Sequence, residues 1–473
     1  MIEFLLNDET VRLEDFRADL TLLDYLREER RRTGTKEGCA SGDCGACTVV
    51  LAEPAGPDRL RYRAVNSCIT FLGAVHARQV LTVEDLADGD SLHPVQQAMV
   101  EHHASQCGFC TPGFVMSLFA LYKRGAGASR EDVATALAGN LCRCTGYRPI
   151  VEAGLAACAR PAPDRFSANE ADVASRLARI APGTSAGGFH VPAALDEAAR
   201  LLAAYPEARP FCGATDLALE CTVRLESLPR LVWLGNVAEL ARIEVTAHAL
   251  VIGAAARYSD CFESLVAEYP DLEEILLRLG SVPIRNQGSF GGNIANASPI
   301  GDMPPVLIAL GAHVNVRRGE RRRRVAVEEF FTGYRSTVLE PGEFIVSVEV
   351  PRARAGTTLV ACKNSKRFDD DISTVMAAFA MNVEDGVLTE ISAAFGGMAA
   401  TPKRAVAVES AMRGRPLADA AVAGRAAVAV DFEPIDDVRA SAAYRLAAAG
   451  GLVERACLEA AGRAPCRVSR HAS

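Results

Sequence analysis

The chain has 473 residues, 49% hydrophobic and 23% charged, with a formal net charge of −8. That length calls for roughly three domains, and the acidic balance gives no footing for nucleic acid. No run of about eighteen apolar residues is present, so no membrane span is expected. The acidic start MIEFLLNDETVRLEDF has no basic segment leading into an apolar core, so no export signal is expected either. A cytoplasmic, reducing setting follows, in which clustered cysteines read as metal ligands rather than disulfides.

In chain order, MIEFLLN alternates as a strand does, and TLLDYLREE has helical spacing from a capping Thr21. TVVLA (48–52) and RYRAVNSCITFLG (61–73) read as strands flanking the turn AEPAGPD. HPVQQAMVEHHASQC and PGFVMSLFALYKR carry apolar residues at helical steps. SREDVATALAGN opens with Ser129 three residues before Asp132, a capping pattern, and ends near Gly139 and Asn140. From about 160 to 188 the chain is rich in Ala, Pro, Gly and Ser, the composition of a linker. The stretch from about 190 to 350 mixes helices and strands, and from about 355 strands alternate with alanine-rich helices. Arg321 to Arg324 read as a solvated strand or turn face, and RVSRHAS as a frayed end.

Eight of the fifteen cysteines form two sets. The first is Cys39-x4-Cys44-x2-Cys47, with Cys68 twenty-one residues on. Gly42, Gly45, Ala40 and Ala46 let this loop wrap a flat inorganic core, and the fourth ligand returns on a distant strand. The spacing is that of plant-type [2Fe–2S] ferredoxins. Zinc sites more often use two C-x2-C hooks or histidines, and no histidine lies within the set. In the second set, QCGFCTPGF puts Cys107 and Cys110 at a helix start, with Pro112 in its first turn. NLCRCTGYRP puts Cys142 and Cys144 at the far end of another helix. Cys142 and Cys144, one residue apart, suit two ligands on one iron and suit a disulfide poorly. His102 and His103 read as helix surface. Cys158, Cys212, Cys221, Cys261, Cys362, Cys457 and Cys466 are scattered and read as small buried or partly buried side chains.

No G-x-G-x-x-G stands between a strand and a helix. Two other glycine-rich turns do appear: FCGATDLALE (211–220) and IRNQGSFGGNIANASPIGDMPP (284–305). Backbone amides at such turns can hold a pyrophosphate, and Asp302 could take a ribose or ribityl hydroxyl. Each turn alone reads more readily as an ordinary glycine turn.

GCASGDCGAC, CGFCTPG and LCRCTGYRPI, in this order, resemble the iron–sulfur part of the molybdenum hydroxylases, over roughly 36–150. That family includes xanthine dehydrogenase, aldehyde oxidase and the carbon monoxide dehydrogenase group. The two glycine turns, with KRFDDDIS, AFGGMAATPKRA and DVRASAAYRL, resemble its flavin part over about 190–460. The resemblance implies a multidomain α+β chain. It places a β-grasp [2Fe–2S] ferredoxin domain over 1–86 and a four-helix-bundle [2Fe–2S] domain over 87–162. A linker over 163–188 would lead to a two-part α+β FAD-binding domain over 189–352 and a C-terminal α+β flavoprotein domain over 353–465. Metal ligands would be Cys39, Cys44, Cys47 and Cys68, then Cys107, Cys110, Cys142 and Cys144, with Gln106 near the pterin. Pro210, Phe211, Cys212, Gly213, Ala214, Thr215, Asp216 and Leu217, with Ser289, Phe290, Gly291, Gly292 and Asn293, would cradle the FAD diphosphate. Asp302 and Lys363 would be polar contacts, and Leu279 and Val346 would pack near the flavin. Ala214 stands where many relatives have glycine or asparagine, and Leu279 where eukaryotic relatives carry an aromatic residue. Lys366-Arg367 and Asp369 to Asp371 look like a charged loop beside the flavin, or an exposed turn before a strand.

The implied role is electron transfer, with no side chain acting as acid or base. Electrons would come from a molybdopterin-binding large subunit, expected as a separate chain, through two [2Fe–2S] clusters to FAD and then NAD+. The fusion of iron–sulfur and FAD parts is the arrangement of bacterial xanthine dehydrogenases. It implies oxidation of hypoxanthine and xanthine to urate by a heterotetramer of two small and two large chains. The alternative is the same wiring in a related aldehyde or N-heterocycle hydroxylase.

Overall fold

The computed structural model describes residues 1–125, 127–159 and 161–463; Cys466 and the end read as frayed lie outside the described residues. Two compact units are present. Among the described residues, one holds 1–238 and 281–288, the other 239–280 and 289–463.

The first unit opens with a five-stranded sheet built from β1 (Ile2–Leu6), β2 (Glu9–Leu13), β3 (Thr48–Pro54), β4 (Leu60–Asn66) and β5 (Gln79–Leu81), in the order β2-β1-β5-β3-β4. The alternation of β1 buries Ile2, Phe4 and Leu6 against Tyr25, Leu26, Val49 and Leu72. Thr21 caps the short helix α1 (Leu22–Asp24) by accepting from the Asp24 amide at 3.1 Å. The predicted strand over 61–73 ends at Asn66. Ser67–Ile69 is a 3-10 turn instead, so Cys68 is carried by a turn and not by a strand. The turn is fixed by the Ser67 hydroxyl donating to the Cys47 carbonyl at 2.7 Å.

Four helices follow: α2 (Pro94–Glu101), α3 (Thr111–Tyr122), α4 (Arg130–Leu137) and α5 (Arg148–Cys158). Ser129 and Asp132 form the capping box of α4. Apolar faces meet in a core of Phe114, Leu118, Phe119, Val133, Ile150 and Ala153. Cys142 and Cys144 lie beyond the end of α4, in the loop before α5, rather than on a helix end.

The stretch 163–188, read from composition as linker, is helical over much of its length. It forms α6 (Arg165–Ala168) and α7 (Glu170–Ala178). Composition misled because Val173, Ala174 and Leu177 still fall on one face, which packs on Leu5, Ala52 and Leu60. The stretch then enters a four-stranded sheet of β6 (Thr184–Ala186), β7 (Phe189–Val191), β8 (Arg209–Phe211) and β9 (Leu231–Trp233), in the order β6-β7-β9-β8. The helix Val282–Gln287 completes the unit. Its Asn286 amide donates to the Ala64 carbonyl at 2.9 Å, and Gln287 accepts from the Asn66 amide at 3.0 Å.

In the second unit, strands Ile243–Val245, Ala249–Gly253, Phe344–Pro351, His313–Arg318 and Arg321–Ala326 form one antiparallel sheet in that order. Arg321, Arg323 and Arg324 on its last strand pair with Glu340, Glu343 and Glu349, as a solvated strand face would. A second sheet runs Thr357–Asn364, Val375–Glu384, Val387–Gly396 and Lys403–Arg404. The helices Val406–Met412, Leu417–Asp431 and Ala442–Ala460 bury Val408, Met412, Val428 and Val453 in a core with Phe379 and Phe395 from this sheet. Among the described residues, no helix is long and apolar enough to cross a membrane.

Candidate metal centres and flavin site

The loop before β3 turns back on itself with left-handed φ at Ala40 (56°), Gly42 (82°) and Gly45 (68°). This brings Cys39 within hydrogen-bonding reach of both Cys44 and Cys68. Cys47 Sγ lies 3.2 Å from Cys68 Sγ, too far for a disulfide and close for two thiols. Cys39 Sγ accepts from the amides of Ser41 and Cys44, each at 3.4 Å. Hydrogen bonds from Cys44 and Cys68 push the Cys39 thiol well below the ordinary range, while contact with Cys39 and Cys47, together with burial, raises Cys68. Four sulfurs this close, with Cys47 and Cys68 buried, hold negative charge together only against a cation.

The second set gathers in the same way. Cys107 is within reach of Cys144, and Cys110 of Cys142. The thiols within reach of one another come from different hooks. Burial and contact with Cys142 raise the Cys110 thiol to about 12. Among the described residues, no three His, Cys, Asp or Glu side chains form a site for a single metal ion. In the second set the thiols approach two by two, Cys107 with Cys144 and Cys110 with Cys142, as two ligands per iron in a binuclear core would take them.

Sequence reasoning missed what joins the sets. The Leu141 amide, beside Cys142, donates to the Cys44 carbonyl at 3.0 Å. Asn140 donates to the Gly45 carbonyl at 3.1 Å and accepts from Ser117 at 2.6 Å. A Cβ on Gly113 would stand 2.1 Å from the Gly45 oxygen. No side chain can yield there, so Gly113→Ala should force α3 off the first loop and cost about 1–3 kcal/mol. Chemical denaturation, followed by the line shape of the first cluster's paramagnetic resonance, checks this. The only sequence signal was the GN pair just before the LCRC motif.

The expected flavin residues divide between the units. In the first, Gly213 follows β8, and a Cβ there would lie 1.8 Å from the Gln287 carbonyl. Ala214 is left-handed at φ 58°, a conformation that glycine or asparagine adopts at less cost. Ala214→Gly should relieve about 1–2 kcal/mol of strain against about 0.5–1 of unfolded-state entropy. The net is a slightly higher melting temperature by calorimetry. The Cys212 carbonyl accepts from the Trp233 indole at 2.9 Å, fixing the start of this loop, which runs on through Thr215, Asp216 and Leu217.

In the second unit, Ser289 caps the short helix Phe290–Ala295, accepting from the Gly292 amide at 3.1 Å. Gly291 packs on Ala254, with only 2.5 Å to a Cβ. The buried Asn293 Oδ1 has no protein partner, an acceptor left over for a ligand donor. Asp302 and Lys363 meet each other at 2.7 Å, both buried, and Lys363 also donates to the Arg278 carbonyl at 2.9 Å. Leu279 is buried and Val346 half-buried. In the Lys366 to Asp371 loop, Arg367 donates its amide to Asp371 at 2.8 Å, and the Arg278 guanidinium lies over Phe368. The thiol sets fit two [2Fe–2S] clusters, and in the second unit the close-packed Gly291 with the spare Asn293 acceptor fits a flavin nucleotide.

Known families match in the same order. A 2Fe-2S iron-sulfur cluster binding domain matches residues 5–73 and a [2Fe-2S] binding domain residues 82–155. An FAD binding domain in molybdopterin dehydrogenase matches 184–353, and a CO dehydrogenase flavoprotein C-terminal domain 360–460. The chain is 34% identical over 484 residues to xanthine dehydrogenase of Drosophila subobscura, covering 88% of this chain and 36% of that protein. It therefore spans about a third of the length of the curated relatives it matches. A solved carbon monoxide dehydrogenase chain from Hydrogenophaga pseudoflava is 31% identical with a TM-score of 0.55, over 58% of this chain and 97% of that one. Quinoline 2-oxidoreductase from Pseudomonas putida 86 aligns at 29% identity and a TM-score of 0.54, over 57% of this chain and 95% of that chain. The chain belongs to the molybdenum hydroxylases, a family of oxidoreductases, and carries their two [2Fe–2S]-binding domains, FAD-binding domain and flavoprotein C-terminal domain.

Proposed function

We propose that this chain is the electron-transfer subunit of a cytoplasmic, NAD+-dependent xanthine dehydrogenase. It would serve a molybdopterin-binding large subunit that oxidises hypoxanthine and xanthine to urate, in a heterotetramer of two small and two large chains. The observation that carries the reading is the joined pair of thiol quartets. When bound, two [2Fe–2S] clusters supply one-electron conduction, and FAD couples one-electron donors to a two-electron acceptor.

The chain's own residues set direction and insulation. Cys107 and Cys144 are exposed, while Cys47 and Cys68 are buried, so the second set is the end open to a donor. Exposed Phe109, Leu141 and Tyr147 surround it, an apolar rim suited to a docking partner. The Cys44–Leu141 backbone bond holds the two sets at fixed separation. The loop 210–217, Ser289 to Asn293, Asp302, Lys363, Leu279 and Val346 would hold the flavin. A Hydrogenophaga pseudoflava chain matched almost end to end by 58% of this one supports a division of the family's parts among separate chains.

The test is anaerobic reduction of the purified native complex by xanthine, followed by absorbance and paramagnetic resonance, with NAD+ then added. Two [2Fe–2S] signals that appear with xanthine and bleach with NAD+ are expected. Signals that ignore xanthine but answer to quinoline or an aldehyde would move the substrate to a related hydroxylase. The quinoline 2-oxidoreductase match, about as strong as that to carbon monoxide dehydrogenase, keeps that second reading alive.

A further inference from the structure

Thr145 takes no part in ligation, yet its Oγ1 lies 3.1 Å from Cys142 Sγ. An iron-bound thiolate has no proton to give, so the hydroxyl must be the donor. The direction is also set from behind. Thr145 Oγ1 accepts the Tyr147 amide at 3.1 Å, which occupies a lone pair and leaves the hydroxyl proton for the sulfur. Tyr147 in turn accepts the Cys142 amide on its phenol oxygen at 3.0 Å. This closes a small ring of contacts over residues 142–147. Tyr147 is held left-handed at φ 67°, a conformation a bulky residue keeps only when its surroundings impose it. Cys142 is also the one buried thiol of its set, where a single hydrogen bond acts most strongly.

We propose that Thr145 is a positioning residue that raises the reduction potential of the second centre by donating to Cys142 Sγ. The proposal rests on the reading of Cys107, Cys110, Cys142 and Cys144 as [2Fe–2S] ligands. A hydrogen bond to a ligand sulfur disperses its negative charge and so favours the reduced, more negative centre. The centre open to the donor is thereby made the readier acceptor.

The experiment is a redox titration of the cofactor-replete protein followed by paramagnetic resonance, comparing wild type, Thr145→Val and Thr145→Ser. Valine keeps the shape and removes the donor. At the wild-type midpoint its reduced-to-oxidised ratio should fall about tenfold, equivalent to about 59 mV for one electron. Serine should restore the midpoint, and the first centre's signal should not move. Equal shifts for valine and serine, or an unmoved midpoint with valine, would overturn the proposal. A wild-type protein with only one [2Fe–2S] signal would instead remove the ligand reading on which it stands.

Discussion

Lys363→Met is expected to lower the stability of the second unit by about 3–5 kcal/mol. Lys363 lies on the strand Thr357–Asn364 with a side chain only 1% exposed, and its ammonium meets Asp302 at 2.7 Å. Methionine fills the space but strands the Asp302 carboxylate in the interior, with the Ser373 hydroxyl still donating to it. The uncompensated charge, not the lost contact, sets the cost. Removing both charges together in a Lys363→Met, Asp302→Leu double variant should therefore cost less than the sum of the singles. The same variants separate structure from cofactor binding. If the pair also touches the flavin, the double variant regains stability but still loses FAD. Urea unfolding and flavin absorbance after gel filtration report the two effects. A single-variant loss below about 1 kcal/mol would contradict a buried ion pair.

Much of this was legible in the chain because it depends on local spacing. Three cysteines within nine residues, glycines at the left-handed positions 42 and 45, and the Ser129–Asp132 box each act over one turn or one loop. What stayed hidden depends on contacts across long separations. The Leu141–Cys44 bond joins residues almost a hundred positions apart, and neither member has a distinctive side chain. The fit of Gly113 against Gly45 is equally mute, since a glycine in a helix otherwise reads only as a weak point. Composition failed where it averaged. The prolines near 161–163 and the glycines near 187 hid the amphipathic turn Val173–Leu177 between them. Asp302 and Lys363 were both picked out as polar contacts, but their meeting 61 residues apart gives each a partner in the protein itself.

The largest functional effect should come from Cys68→Ala, and its contrast with Cys144→Ala tests how burial distributes the consequences. Both variants remove one of four thiolates from a set, so each should lose one [2Fe–2S] signal and about half the bound iron. They should differ in everything else. Cys68 is buried in a core with Ile69, Phe71, Phe189, Phe211 and Ala214. That core joins the first sheet to the strand and loop that lead into residues 210–217. Losing the centre there leaves the buried Cys47 and the half-buried Cys39 and Cys44 without a cation, and the Phe71–Phe211 edge contact must shift with them. Cys68→Ala should therefore destabilise the first unit by several kcal/mol and reduce FAD content as well. Cys144 is exposed on a loop, so Cys144→Ala should leave folding and FAD nearly intact while the second signal vanishes. Iron and flavin analysis, paramagnetic resonance and thermal unfolding on the two variants decide the matter. Equal losses of FAD and stability in both would mean that the first centre is not anchored in the core that carries the flavin loop.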